Sequence, residues 1–237
     1  MINTVIILVG GIGTRLQSLV ANVPKPMALV NNIPFLNYQL NYLKHYGIKN
    51  IIFSTGYLAE KISTYYKNNF NGLFISYSHE NNPLGTGGGI RLAINSINDE
   101  EVLVLNGDSF FDVDIEQFYN LHKKSQSQIS LALRQISNAS RYGTVVRNAN
   151  HRIVSFKEKD GIATKGIING GVYIITKKLF LNNTLANKNF SIEKDFFEKK
   201  LNELNMYGFE FDNYFIDIGI PEDYLKAQND FKEFEYR

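Results

Sequence analysis

The sequence predicts an α/β fold: a mixed, mostly parallel sheet covered by helices. Over the first half, β-branched apolar runs alternate with segments of helical periodicity, as parallel strands joined by crossover helices require. Over the second half, strand-like runs follow one another with little helix between them, which predicts a small antiparallel component. The chain has 237 residues, 44% of them hydrophobic and 20% charged, enough for one large α/β domain. It contains no cysteine, which excludes a disulfide framework and a thiolate metal site. The formal net charge is +2 with acids and bases interspersed, so a nucleic-acid-binding surface is not expected. Met1 to Thr14 is broken by glycines and lacks a basic leader, and no run approaches the length of a membrane span. A cytoplasmic protein without a membrane partner is the expectation.

The elements follow in order. Thr4 to Val9 reads as a buried first strand and runs into a glycine-rich loop. Ala28 to Val30 and Ile33 to Leu36 flank the turn-prone pair Asn31-Asn32. Leu36, Leu40 and Leu43 recur at helical spacing up to Gly47. Asn50 to Thr55 is a second strand, Leu58 to Lys67 a helix and Leu73 to Ser78 a third strand. Gly85 to Gly89 lead into a helix whose apolar stripe is Ile90, Ala93, Ile94 and Ile97. Glu101 to Leu105 is a fourth strand, breaking at Asn106-Gly107-Asp108.

Ile129 to Arg134, Tyr142 to Arg147, Arg152 to Lys157 and Ile167 to Ile175 then read as strands. Helices are expected over Ile192 to Leu204 and Glu222 to Phe234, with a strand near Met206 to Phe211 between them. No linker, charge block or internal repeat divides the chain, so a single domain over 1–237 is expected.

A glycine-rich loop after a strand brings backbone N–H groups close to phosphate oxygens. Gly10, Gly11 and Gly13 form such a loop, although a tight turn without ligand would use the same residues. A dinucleotide fingerprint would need a third glycine where Leu16 stands, and an acid where Thr55-Gly56-Tyr57 ends the second strand. A Walker loop would need Gly-Lys-Ser/Thr, which is absent. Arg15 and Lys25 add two cations nearby, and Lys25 is held between Pro24 and Pro26.

The composite Gly10-Gly11-Ile12-Gly13-Thr14-Arg15-Leu16 with Pro24-Lys25-Pro26 resembles the opening motif of the sugar-phosphate nucleotidyltransferases. The resemblance continues through Pro83-Leu84-Gly85-Thr86-Gly87-Gly88, Asn106-Gly107-Asp108, Phe156-Lys157-Glu158-Lys159, Asn169-Gly170-Gly171 and Asp217-Ile218-Gly219-Ile220-Pro221. Within that family the chain is most similar to the D-glycero-D-manno-heptose 1-phosphate guanylyltransferases. The resemblance implies a Rossmann-like sheet of the nucleotide-diphospho-sugar transferase type. It also implies transfer of GMP from GTP to a sugar 1-phosphate, with release of pyrophosphate and formation of a surface-polysaccharide precursor. Residues 1–125 would mainly hold the nucleotide, and residues 126–237 the sugar phosphate and the closing helices.

Residue by residue, the resemblance makes Arg15, Lys25 and Asp108 the catalytic set. Leu8, Gly10, Gly11, Gly13, Thr14, Glu80, Leu84, Gly85, Thr86, Asn106 and Gly107 would line the nucleotide, with Glu80 placed to accept from the N1–H and N2 edge of guanine. Gly143, Glu158, Lys159, Asn169 and Gly170 would hold the sugar phosphate, and Asp108 with Asp217 would bind Mg²⁺. Two carboxylates completed by phosphate oxygens and water suit that ion. Read alone, Asp108 and Asp217 also fit helix N-caps, Glu80 fits a surface acid, and Lys157 to Lys159 fit a charged edge strand. Asp112 and Asp114 are the better capping acids. Ile220 stands where a threonine is common in the family, which alters the surroundings of Asp217. Alternatives of the same fold would use UTP or dTTP, or mannose 1-phosphate, and a different class is a sugar-nucleotide-binding regulatory protein. A homo-oligomer is compatible with the chain.

Overall fold

The computed structural model describes residues 2–11, 16, 20, 22–157 and 165–236. The first strand, β1 (Thr4–Leu8), buries Val5, Ile6 and Ile7 completely. β2 (Leu29–Val30) and β3 (Ile33–Pro34) form a small hairpin whose turn residues, Asn31 and Asn32, both take positive φ. The chain continues through α1 (Phe35–His45), β4 (Asn50–Thr55), α2 (Ala59–Tyr66), β5 (Asn69–Phe70), β6 (Leu73–His79) and α3 (Gly85–Ala93). β7 (Glu101–Asn106) passes through a two-residue turn into β8 (Ser109–Phe111) and then α4 (Ile115–Lys124). Next come β9 (Ile129–Ile136), β10 (Thr144–Arg147), β11 (Ile153–Lys157), β12 (Gly166–Thr176) and α5 (Lys177–Asn182). A π-helical segment (Ile192–Phe197), α6 (Glu198–Lys200), β13 (Met206–Glu210), β14 (Phe215–Asp217) and α7 (Pro221–Asp230) complete it.

Among the described residues the strands build a ten-stranded sheet in the order β11-β10-β12-β7-β1-β4-β6-β5, with β9 beside β12 and β13 beside β9. β7, β1, β4 and β6 run parallel. Their apolar runs are continuous because both faces are covered. Val5 and Ile7 join one core with α1, while Ile6, Val102 and Val104 join the other with α3. The antiparallel component joins the parallel part edge to edge, through β12 on β7. β9 follows β12 along its length, while the pairing with β10 at Ile168 gives way to β7 from Val172 onward. The change falls at Asn169-Gly170-Gly171, where the β9–β12 register shifts and Gly171 has φ +76°. That break in the sheet opens the second half of the site.

Two expected elements differ. Gly85 to Gly89 lie inside α3 rather than before it. Glycine is a poor helix former, but here the missing side chains let Phe190, the Lys188 carbonyl and Ser54 pack directly on the helix. The helix expected over Ile192 to Leu204 is a π-segment and one short α-turn. Side-chain bonds from Thr86 and Tyr173 to the Ser191–Glu193 stretch hold that backbone, and these are long-range contacts that periodicity cannot register. Of the two expected capping acids, Asp114 caps α4 by accepting from Gln117 N at 2.8 Å. Asp112 does not cap; it accepts the Tyr236 hydroxyl at 3.0 Å.

That bond belongs to an aromatic clasp at the end of the chain. Phe231 packs on Tyr38 (4.7 Å), Phe110 (5.8 Å), Tyr214 (5.8 Å) and Phe234 (4.1 Å). The clasp presses the β8–β14 ribbon, where Asp217 stands opposite Ser109, against α1. Phe231→Ala should therefore cost about 3–5 kcal/mol. In a domain of this size that lowers the thermal midpoint by about 6–20 °C in a calorimetric scan. A shift below about 2 °C would mean the clasp is not holding the ribbon.

Candidate active site

The carboxyl ends of β1, β4 and β6 surround a cleft of roughly 650 Å³, within the range of small-molecule sites. Leu8, Gly10, Gly11, Lys25, Glu80, Gly85, Thr86, Asn106 and Asp108 line it, together with Tyr57, His79 and Asn81. Glu80 is anchored at one oxygen: Oε2 accepts Leu84 N at 2.8 Å. A Cβ on Gly10 would come within 2.8 Å of Oε1, so this position has no room for a side chain. Burial pushes the Glu80 carboxyl above its ordinary pKa, with the Leu84 N–H pulling in the other direction.

Asp108 sits in the turn between β7 and β8. Gly107 N donates to Leu8 O at 2.9 Å and Ile218 N donates to Asp108 O at 3.0 Å, so the turn is fastened to β1 and to the segment after β14. Lys25 Nζ donates to Asp108 Oδ2 at 3.0 Å, with the lysine side chain 12% exposed and the aspartate 37%. Asp217 is close by: a Cβ on Gly219 would lie 2.7 Å from Asp217 Oδ1 and 3.3 Å from Lys25 Nζ. The Asp217 carboxylate and the Lys25 ammonium therefore both approach Gly219, and the same ammonium is bonded to Asp108. The donor set is hard oxygen, which suits a divalent cation such as Mg²⁺. Among the described residues no cluster of three or more His, Cys, Asp or Glu could hold a metal alone. A cation here needs ligand oxygens and water to complete its shell.

A second cleft of roughly 490 Å³ opens on the other side of Asn106 and Asp108. Asn169, Gly170, Gly143 and Asp217 line it, with Arg141, Tyr142, Ser191, Glu193 and Lys194. Gly171 N donates to Asn169 Oδ1 at 3.0 Å and Asn169 Nδ2 donates to the Tyr173 hydroxyl at 2.7 Å. Tyr173 donates in turn to Glu193 at 3.2 Å, and complete burial keeps the phenol protonated. Arg141 pairs with Asp223 at 2.6 Å on the rim.

Most of the expected residues therefore meet in two clefts that share Asn106 and Asp108 as a common wall. Leu84 and Gly107 are not in either lining: Leu84 packs against Gly88, and Gly107 faces Leu8 O and Pro26. Gly13, Thr14, Arg15, Glu158 and Lys159 lie outside the described residues. Tyr57, His79 and Asn81 carry no motif, but they lie at or just beyond strand ends, where ligands of open α/β sheets bind. Glu193 carries no local signal at all, because Thr86 and Tyr173 bring it to the site from a distance.

A doubly covered, mostly parallel sheet thus carries a glycine loop at the end of β1, with Asp108 just beyond β7 and Asp217 at the end of β14. Residues 4–233 match the nucleotidyl transferase family, and the chain belongs to it. It is 47% identical to a D-glycero-alpha-D-manno-heptose 1-phosphate guanylyltransferase of Aneurinibacillus thermoaerophilus, covering 97% of this chain and 98% of the relative. It is 45% identical to the Campylobacter jejuni protein of the same name, over 92% of this chain and 96% of that one. The crystal structure of HddC from Yersinia pseudotuberculosis complexed with GMP-PN superposes with a TM-score of 0.84 at 36% identity, covering 98% of this chain and all of the other.

The space around the two loop glycines differs, since no described residue lies within 4 Å of a Cβ on Gly11. Gly10→Ala should lower the thermal midpoint by about 2–4 °C, the consequence of roughly 1 kcal/mol of crowding against Glu80 and Gly56. Gly11→Ala should stay within about 1 °C of the parent in the same scan. Equal midpoints would contradict the crowded loop.

Proposed function

We propose that this protein transfers GMP from GTP to D-glycero-D-manno-heptose 1-phosphate, giving the GDP-sugar and pyrophosphate in the cytoplasm. The observation that carries the reading is the identity of 47% to a heptose 1-phosphate guanylyltransferase over nearly the whole of both chains. The two clefts meeting at Asp108 support it: one is lined by residues from the first half, proposed as the mainly nucleotide-binding part (1–125), and the other mostly by residues from the second, proposed as the mainly sugar-phosphate-binding part with the closing helices (126–237).

An oxygen of the sugar phosphate attacks the α-phosphorus of GTP, and the bond from that phosphorus to the bridging oxygen of the β-phosphate breaks. The attacking phosphate monoester has a second pKa of about 6 and is ionised at neutral pH, so no general base is needed. What remains is alignment and neutralisation of charge. The Gly10 and Gly11 amides and Arg15 cradle the triphosphate, and Lys25 follows the charge that develops on the leaving pyrophosphate. Asp108 and Asp217 would hold Mg²⁺, which when bound would supply electrostatic neutralisation of the phosphate oxygens. Asn169, Gly143 and Gly170, with Glu158 and Lys159, receive the sugar phosphate.

Glu80 reads the base. Its Oε1 accepts from the guanine N1–H and N2–H, while Leu84 N holds Oε2. In Glu80→Gln the Leu84 N–H would claim the amide oxygen and turn the NH₂ toward the base. The GTP-over-UTP preference in kcat/KM should then fall about 10–100-fold, the size of a hydrogen bond to a charged group. An unchanged preference would remove Glu80 from base selection.

The reaction itself is tested by pyrophosphate release across four nucleoside triphosphates and several sugar 1-phosphates. GTP with the heptose 1-phosphate should give the highest kcat/KM, and Asp108→Asn or Lys25→Ala should lower kcat by about 10²–10³-fold. No release from any pairing would overturn the reading, and a preference for UTP or dTTP would overturn the guanine assignment.

A further inference from the structure

Gln39 lies on α1 and is 1% exposed, away from both cleft linings. Its Nε2 donates to Asn106 O at 2.8 Å and to Ser109 O at 2.5 Å. These are the first and last residues of the Asn106-Gly107-Asp108-Ser109 turn, so one carboxamide closes the turn from outside. The orientation of the amide follows from chemistry, because both partners are carbonyl oxygens and only the NH₂ can face them. The other end, Oε1, has no hydrogen-bond partner among the described residues. A buried acceptor without a partner works against stability. Leucine or methionine would fill the same space without that cost, so packing alone does not account for a glutamine here.

We infer that Gln39 is a positioning residue for the reaction: its two donors fix the turn that presents Asp108 and, through β8, the register of Asp217. The inference rests on the proposed metal and phosphate roles of those two aspartates. Ser109 is the register partner of Asp217 across the β8–β14 ribbon, so displacing Ser109 O moves both carboxylates together. The remaining fastenings of the turn do not replace the glutamine. Gly107 N to Leu8 O and Ile218 N to Asp108 O hold the middle of the turn, whereas only Gln39 spans its two ends among the described residues. Lys25 holds the Asp108 carboxylate itself, and in the proposed reaction that lysine turns to phosphate oxygens. The turn then depends on backbone contacts and on Gln39.

The test uses Gln39→Met, which keeps length and apolar volume and removes both donors. Mn²⁺ binding in the presence of GTP is followed by water-proton relaxation, and pyrophosphate release is measured on the same samples. Loss of an outer partner that orients a ligand predicts Mn²⁺ affinity about 10-fold weaker. The misaligned turn predicts kcat lower by about 10- to 100-fold, with the KM for GTP changed by less than about 2-fold. A folded variant with parental Mn²⁺ affinity and kcat overturns the inference. Unaltered protein that releases no pyrophosphate would sink the functional reading instead, so the two failures are distinct. Should the variant not fold, the unaltered protein still decides the matter by NMR. The two Gln39 Nε2 protons should exchange slowly with solvent, and their nitrogen resonance should move on adding Mg²⁺ and GTP. A rapidly exchanging amide, or one indifferent to both additions, overturns the proposal.

Discussion

The four-residue turn from Asn106 to Ser109 is the constraint on which the rest of the site depends. β7 lies between β1 and β12, so its carboxyl end is flanked by the glycine loop on one side and by the Asn169–Gly171 break on the other. Each flank opens into one cleft, and the turn is the wall between them. Backbone bonds to Leu8 and Ile218, the Gln39 amide and the Lys25 ammonium all converge on it. In the proposed reaction the sugar phosphate meets the nucleotide of the other cleft at this shared wall, which would set Asp108 beside both.

The charges around the turn are arranged to compensate one another before any ligand arrives. Lys25 is bonded to Asp108, approaches Gly219 alongside Asp217, and is largely removed from water at 12% exposure. An ammonium near two carboxylates relieves the repulsion those acids would otherwise exert on each other. In the proposed reaction a divalent cation arriving with the triphosphate would take over this neutralisation and leave the ammonium to the phosphates. The flanking prolines, Pro24 and Pro26, limit how far Lys25 can move during the exchange.

Much of the sheet was legible in the sequence because burial on both faces writes continuous apolar runs. Asn50–Thr55 is a strand over the expected residues, and Ile90, Ala93, Ile94 and Ile97 are all buried in the core. The ends of strands were legible too, since glycine and Asn-Gly-Asp break the pattern where the site lies. The pairing of three-residue β8 with β14 was not, because so short a stretch carries no period, yet that pairing sets Asp217 opposite Ser109, next to Asp108. Glu193 and Gln39 were invisible for a different reason. Each is placed by side-chain hydrogen bonds to residues far away in sequence, and an α1 glutamine looks like any polar position on a helix. Asp112 shows the same limit, since its partner is Tyr236 at the other end of the chain.

The most direct test is a crystal structure with the GDP-sugar product and Mg²⁺ bound. The guanine edge should lie within hydrogen-bond distance of Glu80, the diphosphate beside Asp108 and Lys25, and the sugar against Asn169 and Gly170. A diphosphate held away from Asp108, or base and sugar lodged in one cleft, would contradict the account.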